Sequence, residues 1–532
     1  MSLPLSIPCR HCGMPAVEVP SLPFWNYPTT LGNHTAATPS QSIEIRGVIS
    51  MIQSRVSQIN EDLAHLQILR KQLFRKRDEA LMCINQYKNL LAPIRRLPAE
   101  LLAAIFCFCL PPQQVKFDIG FSHSSNTDHV SFGRRQAPLL LGRVCSLWRA
   151  VALSTPSLWS SFDASCTTRT INRTVFGAET FISRSGICPL SISLVVGNNI
   201  TGAQTHEMIN TLASYSQRWQ NFDLTIGRLE TVRSLNRIKG ALPLLVTLTL
   251  GILGGFPSSE QNAFEVAPSL RNVHIYATMP PLQIKLPWSQ LTSLIWSGGT
   301  LRLQDYIDLL RSCPNLTFCS FQSIPVSSSI IDGPQLTHLN LRSLRIPLST
   351  DIHGFFGCLT LPALRALRVD NDAISPWAAG PFISFLARSS CVLEVAILEM
   401  RPIETLIQCL ETIPGLIELE IVTPLNFIAF VKVMQRLSYD LPLAPRLCRN
   451  LRAISLPNDS SLDLPALFAF LKSRRNPKSF NSQVALLQSI RIVCSSMPEL
   501  DLLVGLQGFQ DEGLLVSVND THGVSWFSGI VL

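Results

Sequence analysis

One short pattern, L-x-x-L-x-L, returns ten times between residues 242 and 492, and no other feature constrains the fold as much. It reads LPLLVTLTL at 242–250, APSLRNVHIY at 267–276, QLTSLIW at 290–296 and CPNLTFCSF at 313–321. GPQLTHLNL at 333–341, LPALRALRV at 361–369 and CVLEVAIL at 391–398 follow. The last copies are IPGLIELEI at 413–421, RNLRAISL at 449–456 and ALLQSIRI at 485–492. The leading residues are Leu245, Leu270, Leu291, Leu316, Leu336, Leu364, Leu393, Leu416, Leu451 and Leu487. Early copies follow closely on one another; the last two intervals are longer. RWQNFDLTI at 218–226 is a looser copy. A single match would mean little, because leucine is common, but a series of this length keeps one phase. Alternate side chains of a short strand face opposite ways. The leucines therefore enter a core shared with neighbouring units, and the x residues line the other face of the sheet.

Amphipathic pieces such as QDYIDLLRSCP, PFISFLARSS and IETLIQCLETIP lie between the strands and predict outer helices. Each unit is too small to bury its own apolar side, so the stack is the domain. Pattern and spacing resemble leucine-rich repeats, whose usual period is about 20 to 29 residues. The asparagine typical of many such repeats is mostly absent here. The resemblance implies a solenoid over residues 163–532 with a C-terminal cap, whose concave sheet binds a protein target. The exposed positions expected there are Arg271, His274, Arg365, Arg368, Glu418, Glu420 and Arg452. Their signs are mixed, so no target chemistry follows from them.

Composition limits the remaining choices. The chain has 532 residues, 46% hydrophobic and 15% charged, which excludes a mostly disordered protein. No run of about 18 apolar residues is present, so no membrane helix is expected. MSLPLSIPCRHCG lacks a basic start and a continuous apolar segment, which argues against a secretory signal. Most of the 15 cysteines sit in apolar runs and read as free thiols in a reducing compartment, cytoplasmic or nuclear. A net charge of +8 over this length is mild and does not demand nucleic acid.

Residues 1–41 are rich in Pro, Thr, Ser and Asn and read as a disordered arm. Cys9 and Cys12 have the spacing of half a zinc site. The other half is missing, His34 being the nearest candidate, so no metal is assigned. Residues 42–92 differ. Ile45, Ile49, Ile52, Val56, Ile59, Leu63 and Leu66 recur at alternating steps of four and three. The stripe continues through Arg70, Leu73, Arg77, Ala80, Ile84, Tyr87 and Leu91, and Pro93 ends it. Such a heptad helix must bury its stripe, either in a coiled coil with another copy, through 42–91, or against its own domain. RKQLFRKR at 70–77 reads as a solvated basic face rather than a nucleic-acid patch.

Residues 93–162 form another region, with a polar insert at 113–136. In IRRLPAELLAAIFCFCL, Pro98 suits a first helical turn and Glu100 suits the positive end of the helix dipole. Pro111-Pro112 stops that helix. After the insert, Val144, Leu147, Trp148 and Val151 share a helical face, and Pro156 breaks it before Trp159. The order L-P-x-E-L, I-F, C-L-P, then L-x-x-V-C-x-x-W-R-x-V-A and P-S-L-W resembles an F-box. With the heptad helix before it and the repeats after it, the chain looks like the large F-box families of mushroom-forming fungi. The insert is longer than that family usually carries. The resemblance implies a small helical trap whose apolar face docks on the Skp-type adaptor of a cullin–RING ubiquitin ligase. Leu97, Pro98, Leu101, Ile105, Val144 and Trp148 would form that face. Trp148 would anchor the last helix of the motif, and Trp159 would seal its join to the solenoid.

No Gly-rich phosphate loop, H-E-x-x-H or G-x-S-x-G elbow is found, and the 10 histidines are scattered. Cys145 lies on an apolar helical stretch and reads as an inert core thiol. The chain is thus expected to be a non-catalytic α/β protein without cofactor: a long N-terminal helix, a small all-α F-box, then a leucine-rich-repeat solenoid. Its expected function is substrate recognition in a Skp–cullin–F-box ubiquitin ligase. The alternative is a repeat scaffold outside any ligase.

Overall fold

The structure, a computed structural model of the chain, describes residues 38–110, 136–227 without 198, 199 and 201, 235–252, 261–277, 283–298, 302–322 and 335–348. It further describes 352–371, 379–423, 425–438, 447–458, 462–475, 485–494, 500–520 and 525–528. Residues 1–37 of the arm, with Cys9, Cys12 and His34, and the insert up to residue 135 lie outside the described residues. The chain divides into two compact units, Met1–Pro98 and Ala99–Leu532.

The first unit is built on α1 (Pro39–Leu91), 53 residues or roughly 80 Å of helix. It begins inside the stretch assigned above to the arm. Thr38 and Gln41 explain why: the Gln41 backbone N–H donates to Thr38 Oγ1 at 3.4 Å, and the Thr38 N–H donates to Gln41 Oε1 at 3.0 Å. That reciprocal pair satisfies two donors that a helix start leaves orphaned. Ile49, Val56, Leu63, Leu73 and Ile84 of the heptad stripe are all exposed.

The second unit is mixed α/β. It opens with α2 (Ala99–Phe108) and α3 (Ser146–Leu153). Strands follow at β1 (Ser161–Cys166), β2 (Leu190–Val196), β3 (Trp219–Ile226), β4 (Thr247–Ile252), β5 (Asn272–Tyr276) and β6 (Ser293–Ser297). Next come β7 (Phe318–Phe321), β8 (Leu336–Thr337), β9 (Ser343–Leu348), β10 (Leu359–Thr360), β11 (Ala366–Asn371) and β12 (Val395–Leu398). The last are β13 (Glu418–Ile421), β14 (Ala453–Asn458), β15 (Ser489–Cys494), β16 (Leu515–Asp520) and β17 (Ser525–Ser528). Fifteen of these make one sheet in chain order, from which only β8 and β10 are missing. Its pairings are parallel except the last, where β17 turns back on β16. Helices connect many of the strands: α4 (Ile171–Arg184), α5 (Gly202–Ala213), α6 (Leu303–Ser312), α7 (Ile352–Cys358) and α8 (Ala379–Ser389). Then come α9 (Ile403–Glu411), α10 (Phe427–Leu437), α11 (Leu464–Arg475) and α12 (Leu500–Asp511). A sequential parallel sheet of this kind is compatible with a repeat solenoid.

Register shows what the leucines do. Phe222, Leu248, Val273, Leu294 and Cys319 stand side by side on β3 to β7. Leu344, Leu367, Ala396, Leu419, Ile454, Ile490 and Val516 continue the column to β16. Every member is buried. At about 1.5–3 kcal/mol for each large aliphatic side chain, this column and its neighbours supply the main drive for stacking. The leading Leu245, Leu270, Leu291, Leu316, Leu364, Leu393, Leu416, Leu451 and Leu487 are buried with them.

One copy is read differently by the fold. Leu336 leads β8, which pairs only with β10, and Leu339 is exposed. The main sheet takes β9 instead, with Leu341, Leu344 and Ile346 buried. Two overlapping matches share Leu341. The later one wins because its strand falls in register between β7 and β11. Strands β1, β2 and β16 also extend the sheet beyond the ten recognised copies.

Near the C-terminal end a fully buried arginine ties units together. Arg474 Nε donates to Leu437 O at 2.9 Å, Nη1 to Cys448 O at 2.9 Å and Nη2 to Leu447 O at 3.0 Å. The guanidinium thus joins the end of α10 to the loop before β14, where Cys448 O also accepts the Leu451 N–H at 3.1 Å. Arg474→Leu is expected to lower the unfolding free energy by about 3 kcal/mol, because three buried charge-assisted hydrogen bonds are lost together. Urea denaturation of the two proteins measures it.

Candidate functional site

Two surfaces of the second unit hold all the singled-out residues except Leu97 and Pro98. The first is helical. Leu102 and Phe106 of α2, one turn apart, are completely buried. Leu101 and Ile105, displaced by one residue, lie on another side and are 53% and 40% exposed. Helix α2 thus carries apolar groups on two sides, and among the described residues only one of them is buried. On the partner helix, Val151 and Ala152 are buried while Leu147 is exposed. Val144, just before α3, is 57% exposed. Phe106 and Trp148 join α2 to α3, their ring centroids 4.9 Å apart and their planes tilted by 55°. Trp148 is half-buried, so it braces the two helices. Leu97 and Pro98 belong to the other compact unit, where Leu97 is half-buried and Pro98 exposed.

Cys145 departs from expectation. It is exposed, and as N-cap of α3 its Sγ accepts the Trp148 backbone N–H at 3.5 Å. A cap must sit outside the helix in extended backbone, which takes it off the apolar face. Trp159 is buried. Its Nε1 donates to Ala152 O at 2.8 Å, its ring meets Phe181 of α4 edge-on at 5.0 Å, and Arg184 lies over it at 4.4 Å. One indole therefore links α3 to the first strand–helix unit.

The second surface is the sheet face opposite the leucine columns. His274, Ser320, Arg345, Arg368, Glu420, Ser455 and Arg491 all occupy the register position between the two inward residues of their strands. Glu418 lies two residues earlier on β13 and is exposed. Arg271, Arg365 and Arg452 form another row, just ahead of their strands, and all three are exposed. Arg365 is paired with Glu394. The expected residues thus fall into separate rows rather than one cluster.

His274 is not exposed, as the pattern predicts, but 7% accessible. Its Nε2 is 3.3 Å from Ser297 Oγ, which donates its own hydrogen to Gln322 Oε1 at 2.7 Å. The hydroxyl has one hydrogen to give, so the imidazole donates through Nε2–H. Burial pushes its pKa down from 6.5 to about 4.

Sequence reading missed Arg342, Arg345 and Asp370. Asp370 accepts from Arg345 Nε at 3.0 Å and Arg368 Nε at 2.7 Å, neutralising one of two neighbouring charges. The misplaced copy at Leu336 hid both arginines. Framed on Leu341, LRSLRI aligns with LRALRV, both arginines and both leucines coinciding, and the equivalence is plain.

Other features are self-contained. Arg70 and Arg77 both stand over the Phe74 ring, at 5.4 and 4.7 Å, and Arg77 pairs with Asp78 at 2.7 Å. Burial pushes the thiols of Cys313 and Cys409 up to about 12 and those of Cys166 and Cys448 to about 11, so they stay protonated. Among the described residues, no group of His, Cys, Asp and Glu is placed to hold a metal ion. Nor, among them, is any helix long and apolar enough to cross a membrane.

No known protein family and no curated protein matches the chain. Among solved structures it is similar to a protein from Bacteroides fragilis, with 10% identity over 48% of this chain and 69% of that one. The TM-score is 0.27, so this likeness carries no argument.

His274 yields a pH prediction. Its folded pKa lies below the unfolded value, so between about 6.5 and 4 the unfolded chain binds the extra proton. Stability is full above that window and falls by about 3 kcal/mol on acidification through it. In His274→Gln this component of the acid slope disappears. Thermal melts of both proteins between those pH values measure it.

Proposed function

We propose that the chain is a substrate-recognition subunit of a Skp–cullin–F-box type ubiquitin ligase. The helical pair α2 and α3 acts as the F-box, the strand–helix stack is a leucine-rich-repeat solenoid, and the sheet face receives a target. One observation carries the reading: Leu101, Ile105 and Val144 are exposed while Leu102, Phe106 and Val151 fill the interior. A foldable helical pair has no need for a second apolar side, and exposed aliphatic groups in contiguous patches mark protein contacts. The L-P-x-E-L and W-R-x-V-A order of the sequence points to a Skp-type adaptor as the visitor. Its role in ubiquitin transfer is proximity: the subunit holds a target near a charged E2 and raises its effective concentration.

Ile105→Asp combined with Val144→Asp is expected to weaken adaptor capture more than about tenfold, since both changes place a charge in the centre of an apolar contact. Co-purification with a Skp-type adaptor measures it. Both residues are exposed, so the variant's circular dichroism should match wild type. Wild type that captures no adaptor favours the scaffold reading.

The heptad stripe of α1 supports self-association as a coiled coil. Exposed Ile49, Val56 and Leu63 occupy one seam, which Arg70 and Arg77 interrupt further along. Sedimentation of the full chain should show a dimer, and Val56→Asp with Leu63→Asp should return it to monomer.

A further inference from the structure

Two adjacent strands are entered by nearly the same phrase, Leu341-Arg342-Ser343-Leu344-Arg345-Ile346 and Leu364-Arg365-Ala366-Leu367-Arg368-Val369, which differ only by Ser for Ala and Ile for Val. Their pairing sets Arg345 beside Arg368. Arg342 and Arg365 are neighbours too, since the Arg365 N–H donates to Arg342 O at 2.8 Å. Asp370 and Glu394 answer three of these charges: Arg345 and Arg368 share the first, and Arg365 takes the second. Arg342 stands at the rim of a groove of about 450 Å³ that runs away from β11 toward β5. Arg271 closes its far end, and Gln290, Thr292, Asn315, Thr317 and Asn340 lie between. Among the described residues, no acidic one lines it.

The polarity of this floor is set by bonds already made. Gln290 Nε2 donates to Ala267 O at 2.6 Å and Leu270 O at 3.0 Å. Asn315 Nδ2 donates to Ser289 O at 2.7 Å, and Asn340 Nδ2 to Pro314 O at 3.0 Å. The Thr292 and Thr317 hydroxyls donate to Arg271 O and Thr292 O, at 3.3 and 3.0 Å. Gln290 thus spends both amide hydrogens and Asn315 and Asn340 one each, so amide and hydroxyl oxygens are much of what the floor offers. Arg271 Nη1 also donates inward, to Pro268 O at 3.1 Å and Leu270 O at 2.9 Å, and meets a ligand with the rest of its guanidinium. Acceptors suit peptide N–H groups, and guanidinium groups suit carboxylates. The dimensions agree. Arg271, Thr292, Thr317 and Arg342 follow one another in the backbone ladder, each N–H donating to the carbonyl before it. Three steps between strands span roughly 14 Å, which is also the distance between side chains four residues apart on one face of an extended peptide.

We propose that this groove receives an extended acidic segment of a target protein, laid across the strands, with two carboxylates four residues apart held by Arg271 and Arg342. The inference rests on the reading of the sheet as the target-binding surface and extends that surface to the row of residues that precedes β5, β6, β7 and β9. It names a charge pattern that the target must carry.

The test uses the full chain and a fluorescein-labelled synthetic peptide with two glutamates four residues apart among serines and threonines. Anisotropy should show saturable binding. The Arg271→Gln, Arg342→Gln double variant should lose at least about fivefold in affinity, the range of two exposed ion pairs. A peptide with the glutamates three apart, which face opposite ways when extended, should bind as weakly as one with glutamines. The Arg271→Glu, Arg342→Glu variant should reverse preference and favour the lysine-for-glutamate peptide, a gain that misfolding cannot produce. Equal binding of both spacings, undiminished binding by the double variant, or no reversal overturns the groove. Adaptor capture is measured on the same preparation. Capture without peptide binding refutes the groove and leaves the proposed function standing. Peptide binding without capture does the opposite.

Discussion

The structure depends on one repeated contact: an inward side chain of each strand meeting its counterpart on the next. From Phe222 to Val516 the column is continuous, and every member is buried. No single unit could hide these groups, because a lone strand and helix have only one apolar side each and nothing to cover it. Parallel pairing in strict sequence follows. A strand out of order would break the column, and a one-residue slip would turn its leucines to solvent. The competition around Leu341 shows the constraint acting. Two frames are offered by the local sequence, and the sheet accepts the one that keeps the column intact.

That constraint also makes the functional surface. Whatever the core does not claim is displayed on the opposite face at fixed intervals of about 4.8 Å. Residues remote in sequence become neighbours only through register, as with Arg345, Arg368 and Asp370. Display is not the same as exposure, however. His274 holds a display position and is buried, and it sits at one end of a hydrogen-bonded line through Ser297 of β6 to Gln322 just beyond β7.

At the N-terminal end of the stack, the helical pair solves a different problem. Its interior is shared with the first strand unit through Trp159, which bonds to α3 and packs on Phe181. Phe106 and Trp148 fix α2 against α3. The core being thus complete, Leu101, Ile105 and Val144 are left over. Apolar groups in excess of what the fold requires are the reason for assigning that face to a partner.

The sequence by itself determined the class of architecture. The period of the leucines, the amphipathic pieces between them, and the heptads closed by Pro93 each follow from local spacing, and local spacing dictates which way a side chain points. The resemblance to an F-box pointed to Leu101, Ile105 and Val144; that they are exposed while Leu102 and Phe106 are buried came only with the structure. Tertiary structure alone decided which of two frames at Leu341 became strand β9, and with it the places of Arg342 and Arg345. It alone buried His274 and turned Cys145 into a cap. These outcomes depend on what the neighbouring strand or helix brings within bonding distance. Periodicity sets the direction of a side chain but carries no information about the atoms it will meet.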